Sequence, residues 1–431
     1  MIDIKLIREN PELVKKNIKN KFQEEKLTMV DKIKSKDEQW RSLKIQVDKL
    51  RHERNKISKE ISEAKKSNQP TSSLMKKAKL IPKKIEEIEQ KSNALQKEIN
   101  EILLQIPNII HKSVPIGKND KENVVREIIG KPKKFSFEVK NHAELGESLG
   151  MLDFDSSSKI SGNGFYFIKG QLALLNQALI NYARDFMISK GYEYLEPPLM
   201  IRQEILNSVY SSEEINAQSF KINDEDLYLI ATSEHPTIGM FINKTLNYKE
   251  LPIKITAYSM CFRKEIGSHG IDEKGLYRTH QFNKQEMVII CHPDESYKYY
   301  SELLSLSKKL FKNLGIPIRE VESCSGDLSN LKAKGADLEA WSPRQQKYFE
   351  ITSVTNMEEA QARRLNIKFV DKDNQKRYAH TLNNTAIATS RALVAILENY
   401  QNKDGSITIP KPLIKYMSGL KTGLKRIENK K

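Results

Sequence analysis

Two runs of apolar residues, spaced alternately three and four apart, constrain the first quarter of the chain more tightly than any other feature. The first comprises Trp40, Leu43, Val47, Leu50, Arg54, Ile57, Ile61 and Ala64, a heptad seam with one basic interruption. The stretch KKSNQPTSS from Lys65 to Ser73 then breaks the pattern with turn-forming residues. A second seam follows through Leu74, Ala78, Ile81, Ile85, Ile88, Ser92, Leu95, Ile99, Ile102 and Ile106. Pro82 lies inside it and should kink or restart the helix, because proline removes one backbone donor. Two seams with one short break predict an antiparallel helical hairpin whose helices of about 35–40 residues make an arm roughly 50–60 Å long. A coiled coil between two chains fits the same heptads. The proline-containing break favours the hairpin.

The charge of this region points to a partner. The 431-residue chain carries 72 Lys+Arg against 56 Asp+Glu, a net charge of +16. Residues 1–100 hold 26 Lys+Arg and 16 Asp+Glu, so 26 − 16 leaves +10 in under a quarter of the length. Such a concentration suits a polyanion-binding element, and it also suits a merely solvated helix surface. Cys261, Cys291 and Cys324 form no close Cys-x-x-Cys pair, which predicts neither a disulfide framework nor a zinc ribbon. No apolar run reaches membrane-spanning length. The opening MIDIKLIRENPELVKKNIKN mixes acids and bases, so no secretory or transit peptide is expected.

Beyond the arm the pattern changes. Pro107 to Glu127 mixes turn residues and charges and reads as part of a connector. The expected division is 1–110 for the arm, 111–140 for the linker and 141–431 for an α+β domain. Gln171 to Gly191 reads as an amphipathic helix ended by glycine. Tyr192 to Ile201 reads as a strand stopped by two prolines, which a sheet tolerates at an edge or end.

The most informative stretch of this domain is FRKEIGSHGIDEKGLYRTHQF, from Phe262 to Phe282. Ile255 to Glu265 and Leu276 to Ile290 flank a glycine-containing loop and should pair as antiparallel strands. Side chains alternate between faces along a strand, so Arg278, His280, Phe282, Lys284 and Glu286 should share one face of the second strand, and Arg263 and Glu265 a face of the first. Arginine forks bind phosphate oxygens, carboxylates hold ammonium groups and a phenyl face stacks on a flat base. A sheet face laced with salt bridges is the plainer alternative. Three other segments offer matching chemistry. ATSEHP places Thr232 and Glu234 on one face if extended. YFEITSVTN brings Glu350 and Ser353, hard oxygen donors suited to Mg²⁺. NNTAIATSRALVAILENYQ becomes a helix bearing Arg391.

Their order along the chain resembles the three sequence motifs of class II aminoacyl-tRNA synthetases. Within that class, MIDIKLIRENPE, the arm, ELGESLGMLDF, ATSEHP, FRKEIGSHGIDEKGLYRTHQFNKQEM, FEITSVTNMEEAQARR and ALVAILENYQ resemble the seryl-tRNA synthetase family, end to end and in order. The resemblance implies an antiparallel sheet flanked by helices, joined to a tRNA-binding helical hairpin. It implies that serine attacks the α-phosphorus of ATP to give seryl-adenylate, and that the terminal ribose of serine tRNA then takes the seryl group. Selenocysteine tRNA is a further candidate acceptor.

The same resemblance assigns Thr232, Glu234, Arg263, Glu286 and Thr385 to serine. It assigns Arg263, Lys264, Glu265, Arg278, Phe282, Glu350, Ile351, Thr352, Ser353 and Arg391 to ATP. Arg263 and Arg391 are the expected catalytic cations, with Mg²⁺ on Glu350 and Ser353 and no zinc. A homodimer in the cytoplasm, without membrane attachment, is implied as well. Where the family carries Asn-Gly-Ser/Thr, this chain has Asn383, Asn384 and Thr385. Two rivals remain: a catalytically silent synthetase-like RNA-binding protein, and a related ligase that charges a carrier protein and would lack the basic arm.

Overall fold

The computed structural model describes residues 1–210, 212–265, 275–417 and 425–428. The loop expected between the two charged strands, residues 266–274, lies outside the described residues. The chain divides into two compact units, Met1–Ile109 and Ile110–Lys431.

The first unit is a helical hairpin with a small bundle at its base. Helices α1 (Ile4–Glu9) and α2 (Pro11–Asn20) precede the long helices α3 (Leu27–Lys66) and α4 (Ser72–Leu103). The 40 and 32 residues of the long pair correspond to about 60 and 48 Å of helix at 1.5 Å per residue. They run antiparallel, because Lys36 pairs with Glu98 while Arg51, further along α3, pairs with Glu89 at 2.7 Å. Val47, Ile57, Ile81 and Ile85 fill the seam along the arm. Ile2, Ile7, Val14, Ile18, Val30, Ile33, Ile99, Leu103 and Ile106 fill the base. Each fully buried aliphatic side chain of this kind contributes about 1.5–3 kcal/mol. Buried Asp37 is gripped there by both guanidiniums of Arg8 and Arg41, at 2.6 to 2.9 Å.

Pro82 does not interrupt α4. It is exposed, so the carbonyl one turn back that loses its donor faces water, while Ile81 and Ile85 stay packed on the inner face. The break between the helices is shorter than the sequence pattern indicated, and Asn68 turns it with a left-handed φ of 51°.

The second unit is built on an eight-stranded sheet. Its strands are β1 (Val124–Ile129), β2 (Glu193–Leu195), β3 (Ile253–Phe262), β4 (Gln281–Cys291), β5 (Ile318–Glu322), β6 (Lys334–Ser342), β7 (Lys347–Asn356) and β8 (His380–Ala388), in the order β1-β5-β6-β7-β8-β4-β3-β2. All neighbours are antiparallel except β2, which runs parallel to β3. The fold is α+β. Helix α5 (His142–Ser148) begins beyond the first strand; α6 (Gly170–Ile188), α8 (Ser296–Asn313) and α9 (Thr389–Asn399) contribute most of the helical side of the largest core, and the short α7 (Glu234–Gly239) packs elsewhere.

Strand β1 lies within the 111–140 stretch expected as a connector. It is an edge strand whose Val125 and Ile128 are exposed, so its side chains carry no inward-outward alternation to betray it. The proline-stopped strand is similarly shortened to the opposite edge, Glu193–Leu195, as the two prolines require. Along β4, odd-numbered Met287, Ile289 and Cys291 enter the large helical core. Even-numbered Val288 and Ile290 enter a second core with Ile238, Leu365 and Phe369. Phe282, Lys284 and Glu286 share the even face and line a cavity there.

Candidate active site

The cavity holds about 320 Å³ and is lined from five of these strands and helices. From β4 come Phe282, Lys284 and Glu286. Arg263 and Glu265 lie just past the end of β3, and Glu265 takes a left-handed φ of 45°. Tyr277 and Arg278 precede β4, which starts at Gln281, later than the periodicity indicated. His280 therefore does not join the cavity face. Its ring meets Arg263 O at 2.9 Å and packs against Phe165 and Phe220, above Gly164.

Two β-bulges complete the lining. In a regular strand, Glu350 and Ser353 would point to opposite faces. Register with β6 shifts between Leu338 and Glu339, which oppose Thr352 and Glu350, so Ile351 is the extra residue. That extra residue brings Glu350 and Ser353 to one side, and both line the cavity with Ile351 and Thr352. On β8 the register shifts between Thr385 and Ile387, leaving Thr385 directly opposite Glu286. The neighbouring Asn384 is buried on the helical side. Its amide donates to Leu303 O at 3.0 Å and Ser307 Oγ at 2.8 Å, so the residue that departs from the family's glycine anchors β8 to α8 in ordinary strand backbone.

Thr232 and Glu234 are not extended, because Glu234 opens α7. Thr232 Oγ1 accepts the Glu234 N–H at 3.2 Å, and both side chains still line the cavity. Lys264 is the predicted position that the structure leaves out. It is half-buried and donates to Asn216 O at 3.1 Å, and it does not line the cavity.

Charge is organised in pairs. Arg278 meets Glu265 at 3.0 Å, Lys284 meets Glu286 at 2.8 Å and Arg391 meets Glu350 at 3.1 Å. Asn383 and Thr385 also donate to Glu286, each at 3.1 Å. Arg263 differs: its Nε–H donates to Ala231 O at 3.2 Å and its guanidinium lies 5.3 Å from the centre of the Phe282 ring. Among the described residues no carboxylate forms an ion pair with it, which leaves a cation for an incoming anion.

Burial, and then the nearby Glu286 charge, push the Glu234 carboxyl up to about 7, although Gln361 donates to it at 3.0 Å. Burial, helped by Lys284 and Arg263, pushes His235 down to about 3, so this cavity-lining imidazole is neutral. Asp337, opposite Ser353 across the sheet, is pushed up to about 7 by burial and by Glu350. Burial also opposes ionisation of Glu350, but Arg391 outweighs it and holds that carboxyl below its usual range.

Glu350, Ser353 and Asp337 thus form a hard-oxygen set in which the Glu350 charge disfavours ionisation of Asp337. Mg²⁺ takes one or two protein carboxylates and fills its remaining positions with phosphates and water, so the set fits that ion. The three cysteines are free and buried. Sequence reasoning did not single out Asp337, Gln361 or Lys332, the last of which also lines the cavity. None has a local signature, since strand pairing or packing brings each to its place. Lys284 was visible as the middle member of the Phe282–Glu286 alternation.

An antiparallel sheet whose face carries these paired charges, with a late helix delivering Arg391, defines a class II aminoacyl-tRNA synthetase domain. The sequence profile of the class II core domain shared by the G, H, P, S and T synthetases matches residues 217–400, and that of the seryl-tRNA synthetase N-terminal domain matches residues 1–110. A serine–tRNA ligase of Methanocella arvoryzae is 44% identical over 422 residues, 97% of this chain and 99% of that one. The corresponding ligase of Pyrococcus horikoshii is 43% identical over 99% of this chain and 97% of its own. The crystal structure of the Pyrococcus horikoshii seryl-tRNA synthetase complexed with ATP superposes over the full length of both chains with a TM-score of 0.94 at 42% identity. That of the cytoplasmic enzyme from Naegleria fowleri with AMP gives 0.88 at 33%. The chain belongs to the seryl-tRNA synthetase family, and its activity is the ATP-dependent ligation of serine to tRNA.

Proposed function

We propose that the cavity binds serine at its Glu286 end and ATP along its arginine-lined side. The observation that carries this reading is the convergence of Arg263, Glu286, Glu350 and Arg391 on one cavity from four separate segments of the sequence. Thr232, Glu234, Glu286 and Thr385 surround serine, whose ammonium and hydroxyl meet the carboxylates. Phe282 takes the adenine, Glu265 its outer edge, and Arg278 and Arg391 the γ-phosphate end. Arg263, which has no carboxylate ion-pair partner among the described residues, takes the α-phosphate and the serine carboxylate.

The chemistry asked of these residues is positioning and charge stabilisation. The serine carboxylate oxygen forms a bond to the α-phosphorus as the bond to pyrophosphate breaks. Negative charge develops on the α-phosphate oxygens, where the Arg263 guanidinium is placed to receive it. Glu350 and Ser353, with Asp337 beside them, would hold Mg²⁺, which neutralises the phosphate charge when bound. The seryl group then passes to the terminal ribose hydroxyl of the tRNA as AMP leaves.

The arm's exposed lysines and arginines suit the phosphate backbone of serine tRNA, including its long extra arm. Strand β2 and helix α6 are the proposed homodimer surface, and the cytoplasm is the proposed compartment. Among the described residues no helix is long and apolar enough to cross a membrane. The intact set of cavity charges disfavours the catalytically silent alternative. Pyrophosphate exchange measured with each amino acid in turn tests the assignment: serine should drive it, and exchange with no amino acid would leave the silent reading.

A further inference from the structure

Outside the cavity, one buried imidazole is tied to the segment that supplies two of its lining residues. His142 is the first residue of α5 and is 5% exposed. Its Nε2 lies 3.1 Å from the backbone nitrogen of Leu276. A backbone N–H can only donate, so Nε2 must be the unprotonated acceptor and the ring proton must sit on Nδ1. Nδ1 lies 3.6 Å from Glu398 Oε1. Glu398 is itself buried, accepts the Ser342 hydroxyl and has Arg344 at 4.0 Å. The 3.6 Å separation is too long for a hydrogen bond, and Nδ1 has none among the described residues, so the tautomer is set by the Leu276 N–H at Nε2, with the Glu398 carboxylate lying beside the protonated Nδ1.

The neighbours of Leu276 explain what this achieves. Gly275 has a φ of 81°, and a Cβ there would stand 2.5 Å from His142 Nε2, so the backbone is pressed against the ring. Leu276 is fully buried. The next two residues are Tyr277, whose ring carries the Arg391 guanidinium at 5.0 Å, and Arg278, paired with Glu265. Both line the cavity. Glu398 lies on the same helix as Arg391, seven residues or two turns later, so one helix presents a cation to the cavity and a carboxylate beside the imidazole behind its rim.

We infer that His142 is a positioning residue for ATP: by accepting the Leu276 N–H at Nε2, with the Gly275 backbone pressed against its ring, it fixes Leu276 and thereby sets Tyr277 and Arg278 where the phosphates bind. This rests on the proposed placing of ATP along the Arg278–Arg391 side, and it adds a residue that touches no substrate. A general packing role would rank the substitutes by volume and show in their melting temperatures. A positioning role through Nε2 depends on which atom the substitute offers. In His142→Gln the carboxamide oxygen reaches the place of Nε2 and can accept the Leu276 N–H. In His142→Asn the shorter amide reaches only toward Glu398.

The test is steady-state pyrophosphate exchange with full-length His142→Gln, His142→Asn, His142→Ala and Arg278→Ala, varying ATP and serine separately, alongside thermal melting of each variant. Loss of one buried hydrogen bond predicts about a tenfold rise in the KM for ATP in His142→Asn and His142→Ala, with His142→Gln within about twofold of the parent. The KM for serine should stay unchanged in all three. Equal KM values for ATP in the Gln and Asn variants, or a KM that merely follows melting temperature, would overturn the positioning role. Arg278→Ala separates the two layers. If it leaves the KM for ATP unaltered, the placing of ATP fails. If it raises that KM while the histidine variants stay alike, only the inference about His142 fails.

Discussion

Thr385 stands directly across the sheet from Glu286 and donates its hydroxyl to Oε2 at 3.1 Å. The same oxygen takes the Lys284 ammonium at 2.8 Å, and Oε1 takes the Asn383 amide at 3.1 Å. A carboxylate surrounded in this way is fixed in position before an amino acid arrives. On the proposed placing, serine meets a preorganised acceptor at Glu286 and Thr385. Glu286→Gln should raise the KM for serine by roughly tenfold to a hundredfold, the equivalent of ~1.5–3 kcal/mol for a hydrogen bond to a charged group, with the KM for ATP unchanged. Threonine should support exchange poorly. Equal exchange with serine and threonine would remove the assignment of this end of the cavity.

Arg263 and Arg391 are predicted to fail in different ways. Among the described residues Arg263 has no carboxylate ion-pair partner, and on the proposed placing of ATP its charge faces the reacting phosphate. Arg263→Ala should lower kcat for adenylate formation roughly a hundredfold or more. Arg391→Ala also releases Glu350 from its ion pair, so phosphates would approach an uncompensated acid. That variant should lose kcat and raise the KM for ATP together. Near-parental pyrophosphate exchange by either protein would mean that the charged face has another purpose.

The pH dependence follows from Glu234. Its carboxyl is pushed up to about 7 by burial and by Glu286, so it is mostly neutral at pH 6 and mostly ionised at pH 8. If the ionised form helps to hold the serine ammonium, the KM for serine should fall as pH rises through this window. The KM for ATP should show no matching change. Glu234→Gln should flatten the serine profile. The linked stability effect has the opposite sense: the folded state binds the Glu234 proton more tightly than the unfolded chain, so this group's contribution to the substrate-free protein is lost as pH rises toward and past about 7. A serine profile that is flat in the parent between pH 6 and 8 would refute this role.

Metal dependence should be read through Glu350 and Ser353. Glu350→Gln, with Ser353→Ala as a milder companion, should raise the Mg²⁺ concentration for half-maximal exchange, by roughly tenfold for loss of the carboxylate. Asp337→Asn should do so less, since its carboxyl is pushed up to about 7 and carries less charge at neutral pH. Titration of metal-depleted protein at fixed ATP measures this. Recovery of full exchange with zinc alone would displace the hard-oxygen site.

How much of this was legible depended on whether a local pattern carried the information. Phe282, Lys284 and Glu286 could be placed on one face because a strand alternates with period two. The arm could be read because a buried seam must repeat along both helices. Glu350 and Ser353 were recognisable by type, but strand periodicity alone would have separated them. Their meeting depends on a bulge set by pairing with β6. Thr232 and Glu234 reach the cavity through a helical turn, since the extended pairing expected there gives way to the start of α7. Strand β1 was hidden because an exposed edge needs no alternating apolar face. His142 carried no visible signal, because its partners Leu276 and Glu398 come from distant parts of the chain.

The arm yields the remaining prediction. Lys76 and Lys77 are exposed on α4, whereas Arg51 is already paired with Glu89 across the hairpin. Reversing Arg51 would therefore disturb the hairpin as well as any contact with RNA, and Lys76→Glu with Lys77→Glu is the cleaner probe. Phosphate contacts position a nucleic acid and weaken as salt rises. The double reversal should raise the KM for serine tRNA several-fold and flatten its salt dependence, while serine-dependent pyrophosphate exchange stays at the parental rate. Shortening the arm gives a stronger test, provided the base survives. Residues 28–33 and 99–106 include Val30, Ile33, Ile99, Leu103 and Ile106, which bury Ile7, Val14 and Ile18, and Asp37 is held by Arg8 and Arg41. Removing residues 46–90 and bridging the ends leaves that base intact and takes away only the outer seam around Val47, Ile57, Ile81 and Ile85. The shortened protein should still activate serine and should charge tRNA poorly. Charging at the parental rate would reassign the outer hairpin to a structural role, because exchange by the same protein would have shown its catalytic unit to be sound.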